Sequence, residues 1–273
     1  MATVIPISRA QDVDADLRVL PEGLARLTGA AAALLWALDD KFRSAALLTG
    51  AQERCFPTII SEDVLERSGY FQAFPGCASQ LSAPSGGRKY FLSPAVCYHC
   101  YDMLKERTLP NNIIFTCCGK CFRNDKCDDT HLWDFTMREI VFVGTREFVE
   151  RQRLRWMDVV ASFARDLDLD ACLVPANDPF FGPETRGRKL LQQIKQLKFE
   201  LSVPLPSPGD MPIASFNLHE RFFSDRFHVS LAGDRPAYTG CVAFGLERWS
   251  MALLARHGAP AALELVEEHD DLR

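Results

Sequence analysis

Residues 240–249 read GCVAFGLERW, and residues 121–125 and 135–144 read CFRND and FTMREIVFVG. Each of these two regions sets an arginine beside an apolar run of the kind that forms a buried strand. A guanidinium group is well suited to hold phosphate, because its planar donors make charge-assisted, bidentate hydrogen bonds. Arg123 and Arg248 are therefore the candidate phosphate-binding residues of the chain.

The bulk properties of the chain exclude several classes of protein. Its 273 residues suffice for one large domain or two small ones, and the composition is ordinary for a globular protein. A net charge of −5 and a pI of about 5.7 have the wrong sign for a broad nucleic-acid-binding surface. No signal peptide is expected, and the apolar stretch over residues 30–38 is too short to span a bilayer. Together with ten cysteines, this favours a reduced, cytoplasmic protein that uses its thiols for metal binding or catalysis.

Hydrophobic periodicity predicts the elements of the fold. Helices are predicted to start at residue 61 and to cover residues 20–48, 100–107, 146–168 and 246–256. In the helix over 146–168, apolar residues stand near helical spacing at Phe148, Leu154, Val159, Val160 and Phe163. Strands are predicted over residues 56–60, 90–92, 113–116, 136–143, 197–203, 213–216 and 240–244. Because strands and helices do not alternate regularly, the pattern favours an α+β fold with a mostly antiparallel sheet flanked by helices. Residues 1–20 are polar and aperiodic, and a loose N-terminal arm is predicted there.

One cysteine pattern has the spacing of a structural metal site. Cys97 and Cys100 form one Cys-x-x-Cys pair, and Cys118 and Cys121 form a second. Two such pairs are typical of a four-cysteine zinc ribbon. A non-catalytic zinc-binding protein is therefore one open interpretation.

A second arrangement starts from Glu139. On a strand, its face is shared by apolar neighbours, so the carboxylate needs a partner or stays protonated. If neighbouring strands bring Glu139 together with Cys97 and Cys241, the three form a zinc site with an open fourth position, as in catalytic sites. The spacing alone favours a third interpretation, in which the two cysteines are small core residues and Glu139 pairs with an arginine.

Six segments, taken in order, resemble the amino acid:[carrier protein] ligases. They are FLSPAVCY (91–98), CFR (121–123), MREIV (137–141), DPFF (178–181), LKFEL (197–201) and CVAFGLER (241–248). These ligases are truncated homologues of the atypical, zinc-dependent seryl-tRNA synthetases of methanogens, within the class II aminoacyl-tRNA synthetase superfamily. The segments around Arg123 and Arg248 resemble motifs 2 and 3 of that class. Residues 56–75 resemble a degenerate motif 1, usually part of the dimer interface.

The resemblance implies a class II synthetase-like catalytic domain over residues 21–273 and a homodimeric enzyme. Such an enzyme activates a small amino acid, glycine or alanine, with ATP and Mg²⁺ and passes it to the phosphopantetheine thiol of a carrier protein. By the same resemblance, Arg123 holds the α-phosphate, Arg248 holds the outer phosphates and Phe135 stacks on adenine. Asp125 stands where the motif has a glutamate, and its shorter side chain reaches adenine less well.

The resemblance also implies the ligands of the metal and the amino acid. Cys97, Glu139 and Cys241 match the positions that hold zinc, which takes the unprotonated substrate amine in its open position. Four residues lie in stretches that line the amino-acid pocket in the wider class: Lys198, Glu200, Ser215 and Asn217. For each of these four, a sheet-edge salt bridge or turn residue is nearly as good an interpretation. Asp178 is interpreted as a turn residue and His219 as a surface histidine.

Other functions stay open at this point. Aminoacylation of tRNA is disfavoured by the acidic charge and by the absence of a tRNA-binding extension, so no tRNA partner and no membrane partner are expected. The departure at Asp125 suggests a further alternative, a degenerate paralogue that binds ATP without turnover.

Overall fold

The structure, a computed structural model, describes residues 16–272 apart from residues 21, 83–86, 125–129, 177–195, 205–209 and 270–271. Asp125 and Asp178, which the sequence singles out, lie outside the described residues. The described strands are β1 Leu17–Leu20, β2 Leu24–Leu27, β3 Gln52–Glu53, β4 Ile59–Ser61, β5 Gln80–Leu81, β6 Tyr90–Leu92, β7 Thr108–Leu109, β8 Ile113–Phe122, β9 Asp134–Gly144, β10 Cys172–Pro175, β11 Lys198–Val203, β12 Met211–Glu220, β13 Ser230–Leu231, β14 Arg235–Pro236 and β15 Tyr238–Gly245. The described helices are α1 Gly29–Leu48, α2 Glu62–Arg67, α3 Tyr70–Ala73, α4 Cys97–Met103, α5 Arg146–Asp166, α6 Phe222–Phe227, α7 Leu246–His257 and α8 Ala259–Glu268.

The centre of the fold is a nine-stranded sheet. Seven strands follow the order β1-β2-β9-β15-β12-β11-β10, while β8 also pairs with β9 and β3 pairs with β8. Two of these pairings, β2 with β9 and β3 with β8, are parallel, and the others are antiparallel. The predicted α+β fold with a mostly antiparallel sheet and flanking helices is confirmed.

The two faces of this sheet carry different layers. Residues such as Phe142 and Phe244 point to a helix-packed face, which helices α1, α5, α7 and α8 cover to form the larger hydrophobic core. The neighbouring residues Val141 and Ala243 point to the opposite face, where α2, α4 and α6 pack. This second face, called the site face below, carries the predicted functional residues.

Local sequence explains where the first elements begin. The helix predicted from residue 20 begins only at Gly29, because Leu17–Leu20 and Leu24–Leu27 pair with one another as the antiparallel strands β1 and β2. Gly23 has a φ of 73° and its amide donates to Leu20 O, a left-handed turn that glycine adopts without steric cost. The last four residues of the predicted arm are therefore a strand, and residues 1–15 lie outside the described residues.

Two other predicted element boundaries and one predicted core residue differ from those in the structure. The helix predicted over residues 100–107 begins at Cys97 and ends at Met103. The strand predicted over residues 56–60 covers Ile59–Ser61. On α5, Leu154 is 55% exposed while Trp156 is buried, so the inward stripe passes through the tryptophan instead. The start of α5 follows its sequence closely, because Thr145 caps it by accepting a hydrogen bond from the Phe148 amide.

Within the described residues, the helices are all too short or too polar to cross a bilayer.

Candidate active site

A cavity of about 270 Å³ opens on the site face. Ten of the residues that the sequence singled out line it, namely Cys97, Arg123, Phe135, Glu139, Lys198, Glu200, Ser215, Asn217, Cys241 and Arg248. The structure thus brings together every predicted site residue that it describes; their individual roles stay predictions.

Strand register explains how residues far apart in sequence meet on this face. Residues directly opposite one another in adjacent strands, and residues two apart on one strand, share a face. One row across the sheet therefore consists of Lys198, Asn217, Cys241 and Val141. The next row consists of Glu200, Ser215, Ala243, Glu139 and Cys117. Glu139 and Cys241 consequently stand as diagonal neighbours on β9 and β15.

The close packing of β15 depends on a glycine. A Cβ atom at Gly240 would lie 2.7 Å from Asn217 O and 2.8 Å from a Val149 methyl carbon. Backbone oxygen cannot yield to such a contact, so a side chain at this position would push β15 away from β12. Gly240 therefore keeps the next residue, Cys241, in register with Asn217.

Helix α4 brings the third member of the group, Cys97, over the sheet. Cys97, Glu139 and Cys241 are 6%, 2% and 3% exposed, and they are called the Cys–Glu–Cys cluster below. The Cys97 amide, one of the amides that a helix start leaves without a helical partner, donates to Glu139 Oε2 at 2.5 Å. This hydrogen bond gives the Glu139 carboxyl group a partner on an otherwise apolar strand face.

Charge in the cluster is divided unequally between its members. A hydrogen bond from Cys97 holds the pKa of the Cys241 thiol well below its usual value, with further support from His219 and Asn217. The same hydrogen bond, followed by burial, raises the pKa of Cys97 well above its usual value. Burial, followed by the negative charge of Cys241, raises the pKa of Glu139 to about 8. Within the cluster, negative charge is therefore favoured on Cys241, while Cys97 and Glu139 favour their protonated forms.

The donor set of the cluster fits a zinc ion in its chemistry. Two thiols and one carboxylate, buried and facing one cavity, are ligand types that Zn²⁺ takes, and a cation would balance the negative charges that burial disfavours. The side chains are not arranged as a formed site: within the described part of the chain, no three His, Cys, Asp or Glu side chains stand in a metal-binding group. Zinc therefore stays a proposal.

The alternative four-cysteine ribbon is wrong. Cys97 and Cys100 lie on α4 over the site face, together with Cys121 of β8. Cys118 points to the opposite side of the sheet, where it packs against the larger core. The four sulfur atoms are therefore separated by the sheet and cannot share one metal ion. Cys100 instead lies 3.9 Å from Cys117, sulfur to sulfur.

Backbone carbonyl groups fix both of the arginines that were predicted to bind phosphate. Arg123 Nε donates to Pro94 O at 3.0 Å, and its guanidinium group lies 5.4 Å from the centre of the Phe135 ring. Arg248 donates from Nε to Thr130 O at 2.8 Å and from Nη1 to Pro212 O at 3.0 Å. Phe135 thus presents to the cavity a ring that already stacks against a planar cation.

Glu247 is a site residue that the sequence reasoning missed. It is 2% exposed, and its carboxylate accepts hydrogen bonds from the Thr136 amide and from Thr136 Oγ1 at 2.8 Å. Lys120 Nζ lies 3.5 Å from the same carboxylate. Burial raises the pKa of Glu247, and Lys120 opposes this shift. These contacts tie the first turn of α7, and with it Arg248, to strand β9.

The predicted amino-acid pocket contains an ion pair. Lys198 Nζ lies 3.0 Å from Glu200 Oε1, two residues along the same face of β11. Asn217 Nδ2, on the neighbouring strand, donates to Ser215 Oγ at 3.2 Å. The salt bridge weighed for Lys198 and Glu200 is therefore present, and it lines the cavity rather than standing apart from it.

His219 differs from its interpretation as a surface residue. It lines the cavity, its Nε2 lies 3.7 Å from Cys241 Sγ, and its Nδ1 lies 3.2 Å from Tyr101 Oη. The histidine therefore contacts the Cys–Glu–Cys cluster from β12.

The chain is 36% identical over 249 residues to amino acid–[acyl-carrier-protein] ligase 1 of Bradyrhizobium diazoefficiens, covering 79% of this chain and 76% of the relative. The chain belongs to this ligase family. Ligase 2 of the same organism is also 36% identical, over 236 residues, covering 76% of this chain and 70% of the relative. The resemblance drawn from the motifs is confirmed, as is the prediction of an enzyme of the ligase type.

The wider superfamily is also evident. Residues 96–198 match the family described as tRNA synthetases class II core domain (F). The type-2 serine–tRNA ligase of Methanopyrus kandleri is 29% identical over 187 residues, which cover 62% of this chain but 35% of that protein.

Solved structures agree on the fold. The M. kandleri seryl-tRNA synthetase, solved with a tRNA, superposes with a TM-score of 0.80 at 23% identity, covering 92% of this ligase-family chain and 58% of that chain. The seryl-tRNA synthetase of Pyrococcus horikoshii, solved with ATP, gives a TM-score of 0.71 at 13% identity, covering 92% and 59%. The class II synthetase-like fold is confirmed.

Proposed function

We propose that this ligase-family protein activates a small amino acid with ATP and transfers it to the phosphopantetheine thiol of a carrier protein. One observation carries the proposal: a single cavity has two backbone-anchored arginines at one end and the Cys–Glu–Cys cluster at the other. The first end suits a nucleotide triphosphate, and the second suits the amine of an amino acid. The names of the two Bradyrhizobium relatives support this substrate pair.

The first half-reaction forms an aminoacyl-adenylate. The substrate carboxylate attacks the α-phosphate of ATP in line, the bond to the bridging oxygen breaks, and pyrophosphate leaves. Arg123 holds the α-phosphate and Arg248 the outer phosphates, so that fixed positive charge meets the negative charge that builds up in the transition state. Phe135 offers its ring to adenine, and Mg²⁺ accompanies the phosphates. Positioning and charge stabilisation supply the rate, without a covalent enzyme intermediate.

Cys97, Glu139 and Cys241 would hold a zinc ion at the amino-acid end. When bound, the ion supplies an open coordination position for the unprotonated α-amine of the substrate. Lys198, Glu200, Ser215 and Asn217 line the pocket beside the cluster. We propose glycine or alanine as the substrate, as the family resemblance implies.

The second half-reaction gives a thioester. The pantetheine sulfur attacks the carbonyl carbon of the adenylate, the bond to the phosphate oxygen breaks, AMP leaves and the thiol proton is lost to solvent. A carrier protein presents this thiol, and we propose that the enzyme works as a homodimer, as the family resemblance implies.

Amino-acid-dependent exchange between ATP and pyrophosphate tests the proposal, run over the twenty amino acids with zinc content measured on the same sample. Exchange with one small amino acid, at about one zinc per chain, is the expected result. The Arg123→Ala variant should lose exchange while keeping its zinc, because Arg123 serves the nucleotide and not the metal. Full exchange by this variant would contradict the assignment.

The acceptor is tested separately with the activated amino acid. Loading of a phosphopantetheinylated carrier protein, with no loading of the carrier before the prosthetic group is attached, is expected. Charging of bulk tRNA in place of the carrier would show that the protein is a tRNA ligase instead.

A further inference from the structure

The regular alternation of β12 puts His219 on the site face, together with Ser215 and Asn217. Along this strand Leu218 opposes Gly240, but Glu220 opposes Thr239, so the register shifts at the residue between them. Glu220 adopts a φ of 51°, in the left-handed region that residues other than glycine rarely occupy. Bulges of this kind redirect a side chain and are frequent next to active sites. Here the register shift and the left-handed Glu220 lie at the end of β12, directly beside His219, and regular pairing with β15 ends there.

Aromatic neighbours hold the imidazole ring of His219 in place on the site face. Phe223 meets it edge-on, with ring centres 4.9 Å apart and planes at 81°. Tyr101 stacks on Phe223 at 4.3 Å and 11°, and its hydroxyl oxygen lies 3.2 Å from His219 Nδ1. Since Tyr101 is 1% exposed, this oxygen cannot find its hydrogen-bond partner in bulk water.

These contacts determine which ring nitrogen carries hydrogen. Burial, followed by the charges of Cys97 and Cys241, raises the pKa of Tyr101 well above its usual value, so the hydroxyl stays protonated. A buried O–H donates to an acceptor within reach, and here that acceptor is His219 Nδ1. Nδ1 then has its lone pair toward Tyr101, and the ring hydrogen is on Nε2. Nε2–H points at Cys241 Sγ at 3.7 Å, and Asn217 Nδ2 donates to the same sulfur at 3.5 Å.

We propose that His219 is a positioning residue for Cys241. Held by Tyr101 with its hydrogen on Nε2, it donates a hydrogen bond to the Cys241 sulfur and so fixes the direction of this metal ligand. The inference rests on the proposed zinc site. Hydrogen bonds to a ligand from residues behind it are typically worth about 10–100-fold in metal affinity. The competing possibility is that the ring only fills space between Tyr101 and Phe223.

Three variants separate the two roles. His219→Gln keeps an N–H donor, His219→Leu keeps bulk without a donor, and Tyr101→Phe keeps the stacked ring but loses the hydroxyl. Zinc affinity is measured by competition with a chromophoric chelator, and the thiolate-to-metal absorption band is measured with Co²⁺ in place of zinc. We expect His219→Leu to lose about 10–100-fold in affinity and to shift the band. His219→Gln should stay within about threefold of wild type, and Tyr101→Phe should lie between them.

Two outcomes of this comparison would overturn the proposal. Equal losses in His219→Gln and His219→Leu would mean that the ring acts by packing alone. Wild-type affinity and an unshifted band in His219→Leu would mean that the hydrogen bond does not act on the metal ligand at all.

A readout on the metal-free protein separates this inference from the proposed function. Nitrogen-15 NMR of the His219 ring should show hydrogen on Nε2 and none on Nδ1, and Tyr101→Phe should relax this preference. If the protein binds zinc but the His219 ring carries its hydrogen on Nδ1, only the proposed role of His219 is overturned. Wild-type protein that binds neither zinc nor Co²⁺ would overturn the metal site and this inference with it, even if ATP–pyrophosphate exchange persists.

Discussion

Replacing Glu139 by glutamine is expected to stabilise the metal-free protein at neutral pH and to abolish its stabilisation by zinc. Burial raises the pKa of Glu139 from 4.5 in the unfolded chain to about 8 in the fold. Below pH 4.5 the carboxyl is protonated in both states and has no effect on the free energy of unfolding. Between these two pKa values the unfolded chain releases the proton and the fold retains it, so the free energy of unfolding falls as the pH rises.

The size of the effect follows from the same shift. One pKa unit corresponds to about 1.4 kcal/mol, so retaining the proton at pH 7 costs the metal-free fold about 3 kcal/mol. Glutamine has nearly the same shape, does not titrate and can still accept the hydrogen bond from the Cys97 amide. Between about pH 5 and pH 7, wild type should therefore lose about 2–3 kcal/mol more of its unfolding free energy than Glu139→Gln does.

Urea unfolding followed by tryptophan fluorescence measures this difference, with a chelator and a thiol reductant present at both pH values. With zinc at about a hundred times its dissociation constant, wild type should gain about 2.7 kcal/mol. Glu139→Gln should gain little, because glutamine lacks the anionic ligand. Glu247→Gln is the matched control: it removes a buried carboxylate from the same cavity, away from the Cys–Glu–Cys cluster, and should respond to zinc as wild type does. Parallel pH profiles for wild type and Glu139→Gln in chelator would refute the reasoning.

Three further predictions, which use four substitutions, concern the nucleotide-binding and metal-binding roles proposed for the cavity. Arg248→Ala should lower kcat/KM for ATP in the exchange assay by about a hundredfold or more, because a charge-assisted contact to the phosphates is lost; an unchanged value would remove Arg248 from the nucleotide site. Phe135→Leu should raise the KM for ATP by roughly tenfold and leave the KM for the amino acid unchanged, because the ring contributes stacking at the nucleotide end only; a rise in the amino-acid KM instead would contradict this placement. Cys97→Ser should lose zinc, as measured by elemental mass spectrometry, whereas Cys118→Ser should retain it; loss of zinc in the second variant would restore the ribbon interpretation.

Much of the fold was predictable because its central elements have strong local patterns. The apolar run at the end of the predicted strand over residues 136–143 identified β9, and the capped amphipathic helix α5 was found to within two residues of its end. Strand β8 was predicted only over residues 113–116, because its second half contains cysteines, a glycine and a lysine rather than β-branched residues. Its continuation to Phe122 depends on pairing with β9, a tertiary effect that local propensity does not carry.

Site residues were predictable where the sequence itself was anomalous. Glu139 stood out as a charge among apolar neighbours on one strand face, and the arginines stood out beside buried strands. Glu247 gave no such signal, because an acidic residue in the first turn of a helix has an ordinary explanation in the helix dipole. His219 was missed for another reason: the predicted strand ended at residue 216, whereas β12 continues to Glu220, and the period of two along it puts His219 on the same face as Ser215 and Asn217.

The end of one strand, β8, decides between the two interpretations of the zinc site. Residues an odd number apart on a strand face opposite sides of its sheet. Cys118 and Cys121 are three residues apart, so they can share a metal ion only if the chain between them leaves the strand. Because β8 runs unbroken from Ile113 to Phe122, Cys121 faces α4 while Cys118 faces the core behind the sheet. The same parity, applied to β9 and β15, places Glu139 and Cys241 on the side of the sheet where α4 carries Cys97. The strand pairing that separates Cys118 from Cys121 therefore also brings the Cys–Glu–Cys cluster together.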